Sequence, residues 1–227
     1  MSRHADATAA AGEIPRTATA VVLAMVSAVA ALGLAVGTHG DASVLSFFTT
    51  HRHGWTVDLA KAATLAGDIR VLFALAAIAT IVAWIRLKSV LAAAPTLAFL
   101  TAGVITAIGK SAIGRARPPL YLHLVSETEP SMPSGHTADG TAFYVALALV
   151  VAFALRRPLW SWITAVITVV LCVSIGLSRL ELGVHWPTDV LVSWLIGLTV
   201  AIVVVAVIDL GEQWDAWPRF TGRFTRS

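Results

Sequence analysis

The sequence predicts an all-α polytopic membrane protein with six transmembrane helices, and three observations carry that expectation. Hydrophobic residues fill 57% of the 227 positions, and mean hydropathy is +0.81. Charged residues make up only 13% and stand in ones and twos between apolar runs. Six of those runs reach the roughly 17 to 20 residues a helix needs to cross a hydrocarbon core about 30 Å thick. A soluble globular domain does not have this composition. The net charge of +3 does not point to nucleic acid either, because the 16 Lys and Arg gather on no single stretch.

The six runs are 19–36, 69–85, 89–109, 137–155, 159–177 and 190–208. The first exceeds the roughly 7–15 residue core of a secretory signal, and no small-residue cleavage site follows it, so it is expected to remain as a span. Residues 1–18 and 209–227 are then short polar tails around one six-span domain, 19–208, with no linker or repeat. Cys172 is the single cysteine and lies inside an apolar run, where a thiol packs as a small hydrophobe.

Between the first two runs lies "SVLSFFTTHRHGWTVDLAKAATLAG", in which apolar residues are mixed with charges. Segment 38–67 is too polar to cross a bilayer and is expected to form one or two short amphipathic helices on the outer leaflet, with Phe47, Phe48 and Trp55 toward lipid. His51 and His53 lack a nearby Cys or carboxylate cluster, so they read as an interfacial polar face, and no metal or other cofactor is expected.

Orientation follows from the short connections. Arg86 and Lys88 join spans two and three, and Arg156 and Arg157 join spans four and five. Positive residues in such turns stay cytoplasmic, which puts Arg3, Arg16, Arg219, Arg223 and Arg226 on that side too, nine cations against seven. Both termini are thus expected in the cytoplasm, within a bacterial plasma membrane. Trp84, Trp160, Trp162, Trp186, Trp214 and Trp217 fall near span ends, as interfacial anchors do.

This topology places three polar clusters at the outer surface: "KSAIGRARPP" from Lys110, "PSGH" from Pro133 and "SRLELGVHWPTD" from Ser178. Lys110, Arg117 and Arg179 can neutralise phosphoryl oxygens, and the amino end of the fourth span adds amide donors and a helix dipole. In "PSGH", Ser134 suits a cap, Gly135 a close backbone approach and His136 an imidazole beside an anion; an ordinary N-cap with a structural histidine fits those four residues equally well. His185 and Asp189 stand four apart at the start of the sixth span, where Pro187 fits an early helical position. The carboxylate can then hold one imidazole nitrogen and leave the other nucleophilic. Taken alone, Asp189 also fits as a complement to the helix dipole.

These residues resemble the type 2 phosphatidic acid phosphatase (PAP2) family, the membrane branch of a superfamily that includes vanadium haloperoxidases. The pattern K-x6-R-P is met by Lys110, Arg117 and Pro118; P-S-G-H by Pro133 to His136; and S-R-x5-H-x3-D by Ser178, Arg179, His185 and Asp189. Gly183 matches a family preference. The resemblance implies metal-independent hydrolysis in which His185 attacks phosphorus, Asp189 orients it, and His136 protonates the leaving oxygen and later activates water. It also implies that Lys110, Arg117, Ser134, Gly135 and Arg179 hold the phosphoryl oxygens. The implied substrates are membrane lipid phosphates: undecaprenyl diphosphate, phosphatidylglycerol phosphate or phosphatidic acid.

Neighbouring residues are open to two readings. Arg115 fits an interfacial cation or a second phosphate contact, and Asp139 fits a tuner of His136 or a dipole complement. His123 and Tyr121 suit a headgroup pocket or loop packing, while Glu127, Glu129 and Glu181 are expected to face water. Two other functions use the same constellation. A lipid phosphotransferase would pass the phosphoryl group to another lipid, and a non-catalytic binding or transport protein would hold the lipid without turnover. Phosphate release without an acceptor lipid separates the hydrolase from the phosphotransferase, and lipid binding without hydrolysis marks the binding protein.

Overall fold

The computed structural model describes residues 40–155 and 157–216, apart from the side chains of 213–216. The predicted first span, 19–36, the amino-terminal tail and the carboxyl-terminal residues from 217 lie outside them. Among the described residues there is no strand. The helices are α1 (Asp41–Thr50), α2 (Gly54–Leu65), α3 (Ile69–Leu87), α4 (Ala94–Ile113), α5 (Gly135–Leu155), α6 (Pro158–Glu181) and α7 (Pro187–Ala216).

Local chemistry sets the helix ends. Asp68 caps α3, its carboxylate accepting from Arg70 N at 2.9 Å. A 3-10 turn over Val90–Ala93, capped by Ser89, leads into α4, which carries Pro95 in its first turn. Pro158 and Pro187 open α6 and α7, where the missing N–H costs nothing. α4 ends at Gly114 with φ +59°.

Among the described residues five helices are long and apolar enough to cross a membrane: Ile69–Leu87, Val90–Ile113, Gly135–Leu155, Pro158–Glu181 and Pro187–Glu212. They overlap the second to sixth predicted spans. Most run further, because backbone hydrogen bonding continues past the apolar stretch; α6 stays helical through Ser178 and Arg179.

α5 lies at the centre and packs on α4, α6 and α7. The contact is built from small side chains: Ala94, Ala98 and Ala102 of α4 meet Ala142 and Ala146 of α5 and Ala201 of α7, all buried. Helices associating in lipid gain little from burying apolar surface, so close backbone approach matters more. At Gly197 a Cβ would lie 2.5 Å from the Ala138 carbonyl oxygen, so only glycine permits this crossing. On the outside, Ile78, Ile81, Val82 and Ile85 of α3 and Val166, Ile167, Val169 and Val170 of α6 are exposed, an arrangement suited to hydrocarbon solvent.

The segment expected to hold one or two short helices forms α1 and α2, and α2 packs against α6. Phe47 and Trp55 are exposed. Phe48 is half-buried, its ring edge-on to Phe47 with centroids 5.8 Å apart. Arg52 ties this segment to the ends of the connections after α4 and α6 by donating Nε to the Glu181 carbonyl at 2.8 Å and Nη2 to the Leu122 carbonyl at 2.9 Å. Gly183 turns the chain between α6 and α7 at φ +73°, where a Cβ would collide with the Leu122 carbonyl. The three polar clusters therefore come together at one end of the bundle.

Candidate active site

A cavity of about 820 Å³ opens at that end between α3, α4, α5 and the loop preceding α5. Its polar part is lined by Lys110, Arg117, Glu127, Gly135, His136 and His185. Its apolar part is lined by Phe73 of α3 and by Phe99, Leu100 and Val104 of α4, whose neighbours face outward.

Each cation arrives on a different element. Lys110 is on the last turn of α4, with Nζ 2.5 Å from Glu129 Oε2. Arg117 follows in the loop; it donates Nε to the Glu129 carbonyl and Nη1 to the Val184 carbonyl, both at 2.7 Å. Arg179, on the last turn of α6, is buried; Nη1 donates to Thr64 Oγ1 at 2.6 Å and Nη2 to Glu127 Oε1. Arg117 Nη2 reaches the other Glu127 oxygen at 3.3 Å. One carboxylate thus bridges both arginines.

His185 sits in the turn before α7 and is 2% exposed. Its Nε2 lies 3.1 Å from Arg117 Nη1. A guanidinium only donates, so Nε2 is the acceptor and the ring proton is on Nδ1. Nδ1 faces Asp189 Oδ2 at 3.5 Å, longer than a made hydrogen bond, and has no closer partner among the described residues. Burial pushes the imidazole down to about 4; Asp189 opposes this, and Arg179 and Arg117 add to it. His185 is therefore neutral at physiological pH.

Asp189 is fully buried. Oδ2 accepts from Ser131 Oγ and from Trp186 N at 2.8 Å, and Oδ1 accepts from Arg115 Nη1 at 2.5 Å. His136 is the second residue of α5 and stands on the cavity wall. Ser134, which the family resemblance assigns to the phosphate, is buried at the start of α5. Its hydroxyl is fully buried and pairs with Thr137 Oγ1 at 3.0 Å, while its N–H donates to Ser193 Oγ at 2.7 Å. The side chain supports the start of α5 and does not line the cavity.

Several sequence readings are corrected. Glu127 does not face water: burial raises its carboxyl, but Arg179 and Arg117 outweigh burial and hold it below the ordinary range. Glu181 is half-buried and accepts from Thr56 Oγ1 at 2.6 Å, whereas Glu129 is exposed as expected, with Lys110 as its partner. Arg115 is no interfacial cation, because it bridges Asp189 and Asp41. His123 Nε2 bonds the Pro118 carbonyl at 2.9 Å, which is loop packing, and Tyr121 is exposed. Asp139 is on the cavity wall with Thr106 Oγ1 3.5 Å away. Asp41, Thr64, Ser131 and Ser193 joined the site unannounced.

An apolar helical bundle that gathers three cations, two imidazoles and a buried carboxylate at one end defines a membrane protein with a site suited to a phosphate group. Residues 91–211, more than half of the chain, match the PAP2 superfamily. The chain belongs to that superfamily. It is 33% identical over 120 residues to an undecaprenyl-diphosphatase of Sulfolobus acidocaldarius, covering 51% of this chain and 54% of that protein. It is also 33% identical over 112 residues to phosphatidylglycerophosphatase B of Bacillus subtilis, covering 48% and 53%. The chain thus spans about half the length of the curated relatives it matches. The crystal structure of a transmembrane PAP2-type phosphatidylglycerolphosphate phosphatase from Bacillus subtilis superposes with a TM-score of 0.75 at 25% identity, covering 82% of this chain and 94% of that one. Aquifex aeolicus LpxE shares the fold, with a TM-score of 0.59 at 23% identity over 75% of this chain and 97% of that one.

Proposed function

We propose that the chain hydrolyses the terminal phosphate of a membrane lipid through a phosphohistidine on His185. The observation that carries this reading is the convergence of Lys110, Arg117, His136 and His185 on one cavity, with Arg179 behind it and the His185 proton on the nitrogen facing Asp189.

In this mechanism Nε2 of His185 attacks phosphorus, and Arg117 turns from that nitrogen to a phosphoryl oxygen. The bond from phosphorus to the lipid oxygen breaks as His136 delivers its proton to that oxygen. Asp189 stabilises the phosphorylated, positively charged imidazole. His136, now neutral, takes a proton from water; the resulting hydroxide attacks phosphorus, the P–N bond breaks, and phosphate leaves. Lys110, Arg117, Arg179 and the Gly135 amide act most strongly where charge is greatest, in the five-coordinate transition state. Ser134 contributes by holding the helix start that carries that amide. Glu127 occupies the space between the arginines that phosphoryl oxygens need, and the substrate displaces it. The chemistry asks for no metal or other cofactor from these residues.

The apolar half of the cavity supports a lipid whose chain stays among α3 and α4 while its phosphate enters the cationic end. Undecaprenyl diphosphate, phosphatidylglycerol phosphate and phosphatidic acid are the substrates to test. The loop charges favour an extracytoplasmic site in a plasma membrane with both termini inside and 19–36 as a sixth span, and the membrane surface is the place for α1 and α2. Purified protein in detergent, offered each lipid without an acceptor, should release inorganic phosphate. Binding without release would leave only a lipid-binding protein, and release only with an acceptor lipid would make it a phosphotransferase.

A further inference from the structure

Arg115 uses all of its reach on groups outside the cavity. Nη1 donates to Asp189 Oδ1 at 2.5 Å and to Thr188 Oγ1 at 2.7 Å, while Nη2 donates to Asp41 Oδ2 at 2.6 Å. Asp41, at the start of α1, is 3% exposed. It accepts from Thr188 N at 3.0 Å and from Thr188 Oγ1 at 2.6 Å, so it caps the first turn of α7 from a different helix. Two buried carboxylates therefore share one guanidinium, which also lies over the Trp186 ring at 5.7 Å.

We propose that Arg115 and Asp41 form a positioning pair for Asp189, fixing its Oδ1 so that Oδ2 stays aimed at His185 and the imidazole keeps its proton on Nδ1. Oδ1 of Asp189 has Arg115 as its anchor, whereas Oδ2 is given to Ser131, Trp186 N and the imidazole. Without the anchor Oδ2 can turn from Nδ1 toward Ser131 and Trp186 N, which leaves Arg117 alone to keep the proton off Nε2, and a proton on Nε2 removes the nucleophile. Arg115 itself cannot stay where it is without Asp41, since its second nitrogen would lose its only ionic partner among the described residues. The pair touches no cavity wall, so it acts through Asp189 and not on the substrate. The inference rests on the hydrolase reading for its purpose, but its geometry does not depend on turnover.

The charged groups around this cluster fix the expected signs. His185 is faced by Arg117, Arg179, His136, Glu127 and Asp189; Asp189 is faced by Arg115, Arg117 and His185; and Asp41 is faced by Arg115. Removing the Arg115 cation leaves the Asp189 field less compensated, which favours imidazolium. Removing the Asp41 anion leaves Arg115 to Asp189 alone, which disfavours it.

The test is heteronuclear NMR of full-length protein with nitrogen-labelled histidine in detergent micelles, with the His185 signal assigned by its loss in His185→Gln. Wild type should show the neutral Nδ1–H tautomer. Arg115→Gln should show mixed tautomers and a His185 proton affinity raised by about tenfold. Asp41→Asn should shift that affinity the other way, and Arg115→Lys, which keeps the cation, should restore the wild-type tautomer. Unchanged tautomer and titration in Arg115→Gln and Asp41→Asn, or shifts of the same sign in both, would overturn the proposal. If Arg115→Gln does not fold, an unshifted Asp41→Asn decides against it alone. Phosphate release measured on the same samples keeps the two ideas separate: an inactive wild type with these NMR shifts removes the hydrolase reading and leaves the positioning pair.

Discussion

The Arg117 guanidinium donates to His185 Nε2 across 3.1 Å, so the cation proposed to bind phosphate rests on the atom proposed as the nucleophile. The contact assigns the tautomer and shows which nitrogen Asp189 must serve. Asp189→Asn would offer an amide to Nδ1 and allow the wrong tautomer. The variant should fold, because Asn fills the same space, while kcat falls by about a thousandfold or more. Initial rates together with a thermal melt in detergent check both halves.

Burial holds His185 unprotonated down to about pH 4. Its folded value is depressed, so the neutral form that the proposed attack requires persists well below the range in which an exposed histidine, with a value of about 6.5, becomes charged. The kcat at pH 5 should remain within about threefold of that at pH 7, whereas a solvated nucleophile would lose more than tenfold. A pH series under saturating substrate makes the comparison.

Glu127 binds Arg117 and Arg179 together and so competes with any anion that needs both. Glu127→Gln removes the competing charge while keeping the shape. Inhibition by orthovanadate or inorganic phosphate should tighten by about tenfold. Weaker inhibition would mean instead that the carboxylate holds the arginines in place for substrate.

The sequence made the parts closest to the chemistry legible for a physical reason: in so apolar a chain each polar residue needs a purpose, and those of the three motifs stand out. Spans two to six were readable from hydropathy, although not their polar ends, since Ser178 and Arg179 remain helical beyond the apolar stretch. The supporting layer was hidden. Asp41 and Arg115 meet across 74 positions, Arg179 and Glu127 across 52, and Ser131 and Asp189 across 58, separations that no periodicity can register. Glu127 was misread because an isolated glutamate in a loop ordinarily faces water, and its two arginine partners come from other elements. Ser134 was legible as a residue of the helix start but its partners were not: its hydroxyl pairs with Thr137 Oγ1 and its N–H with Ser193 Oγ, 59 positions away.

Sidedness rests on Arg86, Lys88, Arg156 and Arg157. In a Cys172→Ser background, Ser126→Cys should react with a membrane-impermeant thiol reagent on intact spheroplasts, and Arg157→Cys only after lysis. The opposite pattern would put the site in the cytoplasm and exclude lipid phosphates presented on the outer leaflet.

The measurement closest to the central claim is trapping of the covalent intermediate. Purified protein is mixed with a lipid substrate radiolabelled in its terminal phosphate, quenched in alkali within a turnover, and digested for peptide mapping, with EDTA present throughout. The account predicts label that survives alkali, is lost in acid, maps to the peptide carrying His185, and is absent in His185→Ala, which should also release no phosphate. Label on another residue, or undiminished phosphate release by His185→Ala, would contradict it.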